Sequence, residues 1–224
     1  AIIYSCSINL LITMLLFTAP ILLQYDDAST VNESTFMIKM KKWLIIILLL
    51  MISVYLIARL IAPQLIDKEF NTLVLPAPYQ LKPSTKVLYD SLDFVADLHS
   101  DVLLWKRDIL KLNPYGHEDV PRMLEASVAL QAFTIVNKVP EGINFKQNTG
   151  DTDKLTLPYI LQGRPINTWF NLTNRVVNQA ENLHEFSQHS NGQLSIIKNK
   201  KDLKYYLKQR QTNKKITAGL LGIE

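Results

Sequence analysis

The 224-residue chain has one cysteine, Cys6. A single thiol excludes a disulfide framework or a cysteine-ligated zinc site within one chain, and it leaves the redox compartment unread. Charge is missing from two long stretches, Ile2 to Leu23 and Trp43 to Ala58. Either run is close to the roughly 20 apolar residues that cross a bilayer. No internal repeat or low-complexity tract occurs. Acid is scarce between Ile197 and Lys215, where eight lysines and arginines face Asp202 alone. Leu203, Tyr206, Leu207 and Arg210 recur there at i, i+3, i+4 and i+7, which makes one buried stripe with lysines on the solvated side. No aromatic residues interleave the basic ones in the pattern of a nucleic-acid module, so no nucleic-acid partner is expected.

With 48% hydrophobic residues, the chain can hold one medium domain plus membrane segments. Met37 to Lys42 is basic and Trp43 to Leu50 wholly apolar, the form of a positive n-region and an h-region. The best small-residue cleavage point, Ala62, is followed by Pro63, and the apolar stretch resumes past Arg59, which can snorkel to the interface. Residues 37–65 are therefore expected to form an uncleaved anchor. Lys39, Lys41 and Lys42 outnumber Arg59, which puts them in the cytoplasm and the rest of the chain on the extracytoplasmic side. Residues 1–36 have two readings: a second transmembrane helix, or sequence upstream of a start at Met37, since position 1 is Ala. Residues 66–90, with Pro76, Pro78 and Pro83, read as an extended linker.

From about Asp67 onward the composition is that of an ordinary soluble domain, and the barrel portion is expected from residue 91. Leu92–Leu98, Val128–Val136 and Ile216–Ile223 read as buried strands, short and apolar without alternation. Helical patterns separate them. Asp119 is placed to cap a short helix with Pro121 in its first turn and Leu124 facing inward. Trp169, Leu172, Val176, Ala180 and Leu183 trace the apolar face of a longer helix closed by Asn191-Gly192, and Asn199 caps the basic helix. This is a parallel α/β order. A whole (β/α)8 TIM-type barrel needs ~250 residues, so an incomplete barrel of about its first three strands is expected in residues 91–224.

His99 and Asp101 stand two apart at a strand's end, so their side chains are expected on one side. An imidazole and a carboxylate so placed can hold a hard-to-borderline ion, zinc above all; a loop histidine beside a helix cap is the plainer alternative. Glu224 ends a third apolar strand and would emerge on the same face, where barrel active sites assemble. Gln131 on the second strand either faces the interior near the metal or packs in the core.

Four blocks in order add a resemblance: Val95-Ala96-Asp97-Leu98-His99-Ser100-Asp101, Gly116 to Glu125, Val128 to Thr134, and Gly219 to Glu224. Together they resemble the membrane dipeptidase family of zinc peptidases related to renal dipeptidase, from about Leu92 onward. The resemblance implies a barrel with two zinc ions that hydrolyses dipeptides through a metal-activated water. It implies that His99 and Asp101 are metal ligands, and that Glu224 is the catalytic carboxylate bridging the ions. A homodimer is left open. The family takes further histidines and a proton-transferring acid from later strands, which this sequence does not contain, so the chain is expected to be an inactive fragment by itself. His117 fits a supporting role. Glu181 and His184 form a Glu-x-x-His pair without the second copy that a carboxylate-bridged iron site needs. His184 and His189 are expected toward solvent. Two rivals stay open: another amide or lactone hydrolase on the same barrel, and a non-catalytic truncated membrane protein.

Overall fold

The computed structural model describes residues 33–74 and 80–224. The first apolar run with Cys6, the choice between its two readings, and Pro76 and Pro78 lie outside the described residues. The chain divides into two compact units, Ala1–Leu60 and Ile61–Glu224.

The described part of the first unit belongs to helix α1, Glu33–Phe70, whose last turns fall in the second. From Thr35 to Phe70 it is long and apolar enough to cross a membrane, a property that signal sequences share. Its large apolar side chains, Trp43 and Leu50 among them, are exposed along most of its length.

α1 runs past the expected end of the anchor at residue 65, and α2 (Pro83–Asp90) is also helical, so the stretch 66–90 is not extended throughout. Two interactions explain the longer helix. The Asp67 carboxylate is buried 3.0 Å from the Arg107 guanidinium, and the Asn71 carbonyl accepts the Gly116 N–H at 2.7 Å. Pro83 opens α2 at the first turn, where a missing N–H costs nothing. Proline marks a helix start there rather than a break.

The second unit is a parallel four-stranded α/β sheet of β1 (Val95–Ser100), β2 (Val128–Ile135), β3 (Leu194–Ile196) and β4 (Thr217–Ile223), in the order β1-β2-β4-β3. β1 begins three residues later than its apolar pattern, and it is not the buried strand that pattern suggests: Ala96 to His99 are exposed, Leu98 at 74%. β3 is a fourth strand, where three were expected. Its three residues are too few to register as an apolar run.

Between β1 and β2 come a 3-10 turn, Val102–Leu104, and α3, Val120–Glu125. Asp119 caps α3 by accepting the Arg122 N–H at 3.0 Å, and Leu124 is buried, as expected. After β2 come α4 (Thr156–Leu161), a second 3-10 turn (Ile166–Thr168) and α5 (Leu172–His189). Asn191 and Gly192, both at positive φ, follow the end of α5. Trp169 stands before α5 rather than on it. Its indole N–H donates to the Arg164 carbonyl, and it packs beside Val136, Leu155 and Tyr159. α6 (Lys200–Thr212) is capped by the Asn199 carboxamide, which accepts the Lys201 and Asp202 N–H groups. Its buried stripe is narrower than the spacing suggests: Tyr206 and Arg210 are buried, whereas Leu207 is exposed.

The main core lies between the sheet and helices α3 and α5, with Phe133, Ile135, Val120, Met123 and Leu183 at its centre. Gly219 is required by that packing. A Cβ there would stand 2.6 Å from the Phe133 ring, so only hydrogen lets the ring lie over β4. Because all four strands run the same way, β1, β2 and β4 deliver their C-terminal ends to one edge.

Candidate metal centre

That edge brings the predicted residues together. His99 is the last residue but one of β1, Asp101 follows the strand, and Glu224 follows β4. His99 Nε2 lies 3.3 Å from Asp101 Oδ1 and 3.6 Å from Glu224 Oε2. One ligand atom from each of the three falls within 4.8 Å of the others.

The convergence arises by a different route from simple alternation. Asp97 pairs with Gln131 and Ser100 with Phe133, so β1 spends one residue more than β2 over this interval. Such a bulge re-aims side chains at a strand's end. Asp101 has already left the strand, with φ −91° and ψ 17°, and opens the 3-10 turn. Its carboxylate accepts the Thr134 hydroxyl from β2, and the Glu224 N–H donates to the Ile135 carbonyl at 3.2 Å. β2 thus holds the Asp101 carboxylate directly and Glu224 by its backbone.

All three side chains are about half exposed, 57% for His99, 42% for Asp101 and 44% for Glu224. Two carboxylates and one imidazole gathered on an open edge suit a dication: the donor types are those of zinc sites, and the shared oxygen-rich side fits a hard-to-borderline ion. The set supplies three donors.

A cavity of about 340 Å³ adjoins the cluster, lined by Asp97, His99, Asp101, His117, Glu118 and Gln131 among others. Gln131 is buried at 1% exposure and donates to the Ala132 carbonyl, so it both packs and walls the cavity. His117 is exposed on the rim and stands outside the three-ligand cluster. Glu181, His184 and His189 sit on α5, away from the cluster; His189 Nδ1 rests 2.9 Å from the Glu185 carbonyl of its own helix.

Sequence reasoning assigned no role to Glu118, although it lies in the quoted Gly116–Glu125 block. Its carboxyl accepts the Ser100 hydroxyl, and its other oxygen, Oε1, is buried with no partner among the described residues. Burial pushes its pKa up from 4.5 to about 7, the Ser100 hydrogen bond opposes the shift, and the Asp97 charge adds to it. Thr134 was also missed as an orienting group. Its position one residue short of the strand's end is the only signal the sequence offered.

No protein-family model matches the chain, and neither a curated protein nor a solved structure matches it.

Proposed function

We propose that this chain carries part of the active site of a membrane-anchored zinc dipeptidase of the renal dipeptidase-like family, built on a (β/α)8 barrel. The observation behind the proposal is the approach of His99, Asp101 and Glu224 to within 4.8 Å, on strand ends far apart in sequence. Its support is the order of the four sequence blocks together with the adjacency of β1, β2 and β4, all parallel.

In this reading His99, Asp101 and Glu224 are the residues of this chain that would hold zinc. Bound zinc supplies Lewis acidity and a water made nucleophilic near neutral pH. The chain's own residues orient that centre. Thr134 fixes which Asp101 oxygen faces outward, and the Ile135 carbonyl pins the backbone of Glu224. Outer-shell groups of this kind commonly change metal affinity by about 10–100-fold when removed. Gln131 and Asp97 wall the cavity in which a dipeptide would lie. The lysines before the apolar run of α1 outnumber Arg59, which supports an extracytoplasmic site held to the membrane by that helix.

The test is hydrolysis by the full-length protein in detergent, stripped with chelator and resupplied with zinc. Dipeptides are offered beside N-acyl amino acids and lactones, since a fold does not fix substrate. Zinc-dependent release of free amino acids from dipeptides is the expected outcome. Preference for the lactone or acyl substrates would move the assignment to another hydrolase, and the absence of zinc binding would end it.

A further inference from the structure

Residues 61–70 of α1 belong to the second compact unit, and two chains of contacts lead from them to the metal-bearing edge. The first starts at Asp67. Its carboxylate is 5% exposed, lies 3.0 Å from the Arg107 guanidinium and accepts the Asn71 carboxamide at 2.8 Å. Arg107 Nη1 donates onward to the Tyr115 carbonyl at 3.1 Å, and the Gly116 N–H donates to the Asn71 carbonyl at 2.7 Å. The turn closes so tightly that a Cβ at Gly116 would stand 1.7 Å from Arg107 Nη1. Two residues on, Glu118 accepts the hydroxyl of Ser100, the residue between His99 and Asp101.

The second chain starts at Phe70, whose ring stacks on Trp105 with centroids 5.8 Å apart. The Trp105 N–H donates to the Val102 carbonyl at 3.2 Å and closes the 3-10 turn that Asp101 opens. Asn71, Trp105, Arg107 and Glu118 also wall the cavity beside His99 and Asp101. A segment that merely tethered the domain would need none of these contacts. A buried ion pair offsets its desolvation only in a fixed geometry, so Asp67 and Arg107 hold α1 and the 115–118 turn in one register. Each chain ends beside a candidate ligand, where a shift changes the donor spacing that an ion requires.

We propose that the last turns of α1 are a positioning element for the metal centre, Asp67 acting through Arg107 and the 115–118 turn, and Phe70 through Trp105. This role rests on the zinc reading of His99, Asp101 and Glu224, and not on a dipeptide as the substrate.

The test compares full-length wild type with Asp67→Asn in detergent by two readouts. Amide hydrogen exchange in EDTA follows the peptides 97–104 and 113–118, and calorimetry gives the zinc affinity. Asp67→Asn should speed exchange in both peptides and weaken zinc binding about 2- to 30-fold. Asp67→Glu, which keeps the charge, should recover part of both. Adding Ser100→Ala to Asp67→Asn should cost less zinc affinity than the two changes summed, because both interrupt one chain of contacts. Ile216→Ala empties part of the separate apolar cluster under α6 and should leave zinc affinity at the wild-type value. If Asp67→Asn does not fold, Phe70→Ala decides, since Phe70 is 73% exposed and its loss spares the core; it should speed exchange in 97–104. Exchange in 97–104 unmoved by the variant that folds, or zinc affinity lost equally in Ile216→Ala, overturns the proposal. Wild type that binds no zinc ends the zinc reading instead, and exchange alone then decides whether α1 orders the tip of β1.

Discussion

Two charged clusters border the same sheet and are built on opposite terms. Arg175 itself is enclosed, among partners that are at most partly exposed. Its side chain is 0% exposed, and its donors reach the Thr168 and Asn137 carbonyls, Asp153 at 2.6 Å, the Thr156 hydroxyl and the Trp169 carbonyl. The Tyr159 ring lies 4.8 Å from the guanidinium. Around His99 the charges are half exposed, and two carboxylates of like sign flank one imidazole. A cluster shaped for stability saturates its donors and balances its charge. The other cluster keeps like charges close and open to solvent, which makes sense where a cation is to be taken up.

The largest effect should come from breaking the enclosed cluster. Arg175→Met leaves Asp153 and several carbonyls without their partner, and removal of one member of a buried pair costs about 3–5 kcal/mol. Urea denaturation should show a midpoint lowered to match, with zinc affinity at His99 unchanged. An unaltered midpoint would erase the distinction between the clusters.

Glu118, between the two in character, should give the next effect. Its pKa is about 7 in the folded protein against an ordinary 4.5, so across that interval the folded state binds more protons than the unfolded one. Its contribution to stability is therefore complete below pH 4.5 and is lost as pH rises through about 7. The loss amounts to roughly 3 kcal/mol over the full window. Glu118→Gln, which resembles the protonated acid, should flatten this dependence and stabilise the protein at pH 8. An unchanged slope in unfolding free energy against pH would refute the assignment.

The smallest stability effect is expected at the open cluster. His99→Ala should leave the unfolding free energy of the metal-free protein within about 0.5 kcal/mol. Isothermal titration of the same variant should show zinc binding abolished. A large loss of stability would recast His99 as a structural residue, and the comparison would collapse from the other side.

The legible parts of this molecule are those with a local cause. Asp119 and Asn199 announce helix starts because capping is a matter of three residues. β2 and β4 stand out because both are short, mostly apolar runs without a charge. The meeting of His99, Asp101 and Glu224 could be anticipated from parallel strands ending on one edge. The rest depends on partners distant in sequence. Nothing near Asp67 foretells Arg107, which keeps α1 helical past residue 65. β3 owes its existence to pairing with Thr217–Gly219 rather than to its own three residues. The bulge beside His99 appears only once β1 is laid against β2. Arg175 looks like one more cation on a helix until Asp153 and the Trp169 carbonyl are folded around it.

The sheet order has a consequence for how the protein is made. β1 pairs with β2 through Ala96 and Leu130, and β2 pairs with β4 through Leu130 and Ala218. No pair is a hairpin, so no strand finds its neighbour across a tight turn. Each ladder must wait for closure of a long loop, a topology that slows folding and keeps apolar strand edges uncovered meanwhile. During synthesis β2 emerges long before β4, and through that interval its edge is open to any other extended chain. Until residue 217 has left the ribosome, that edge of β2 has no strand of its own chain to pair with.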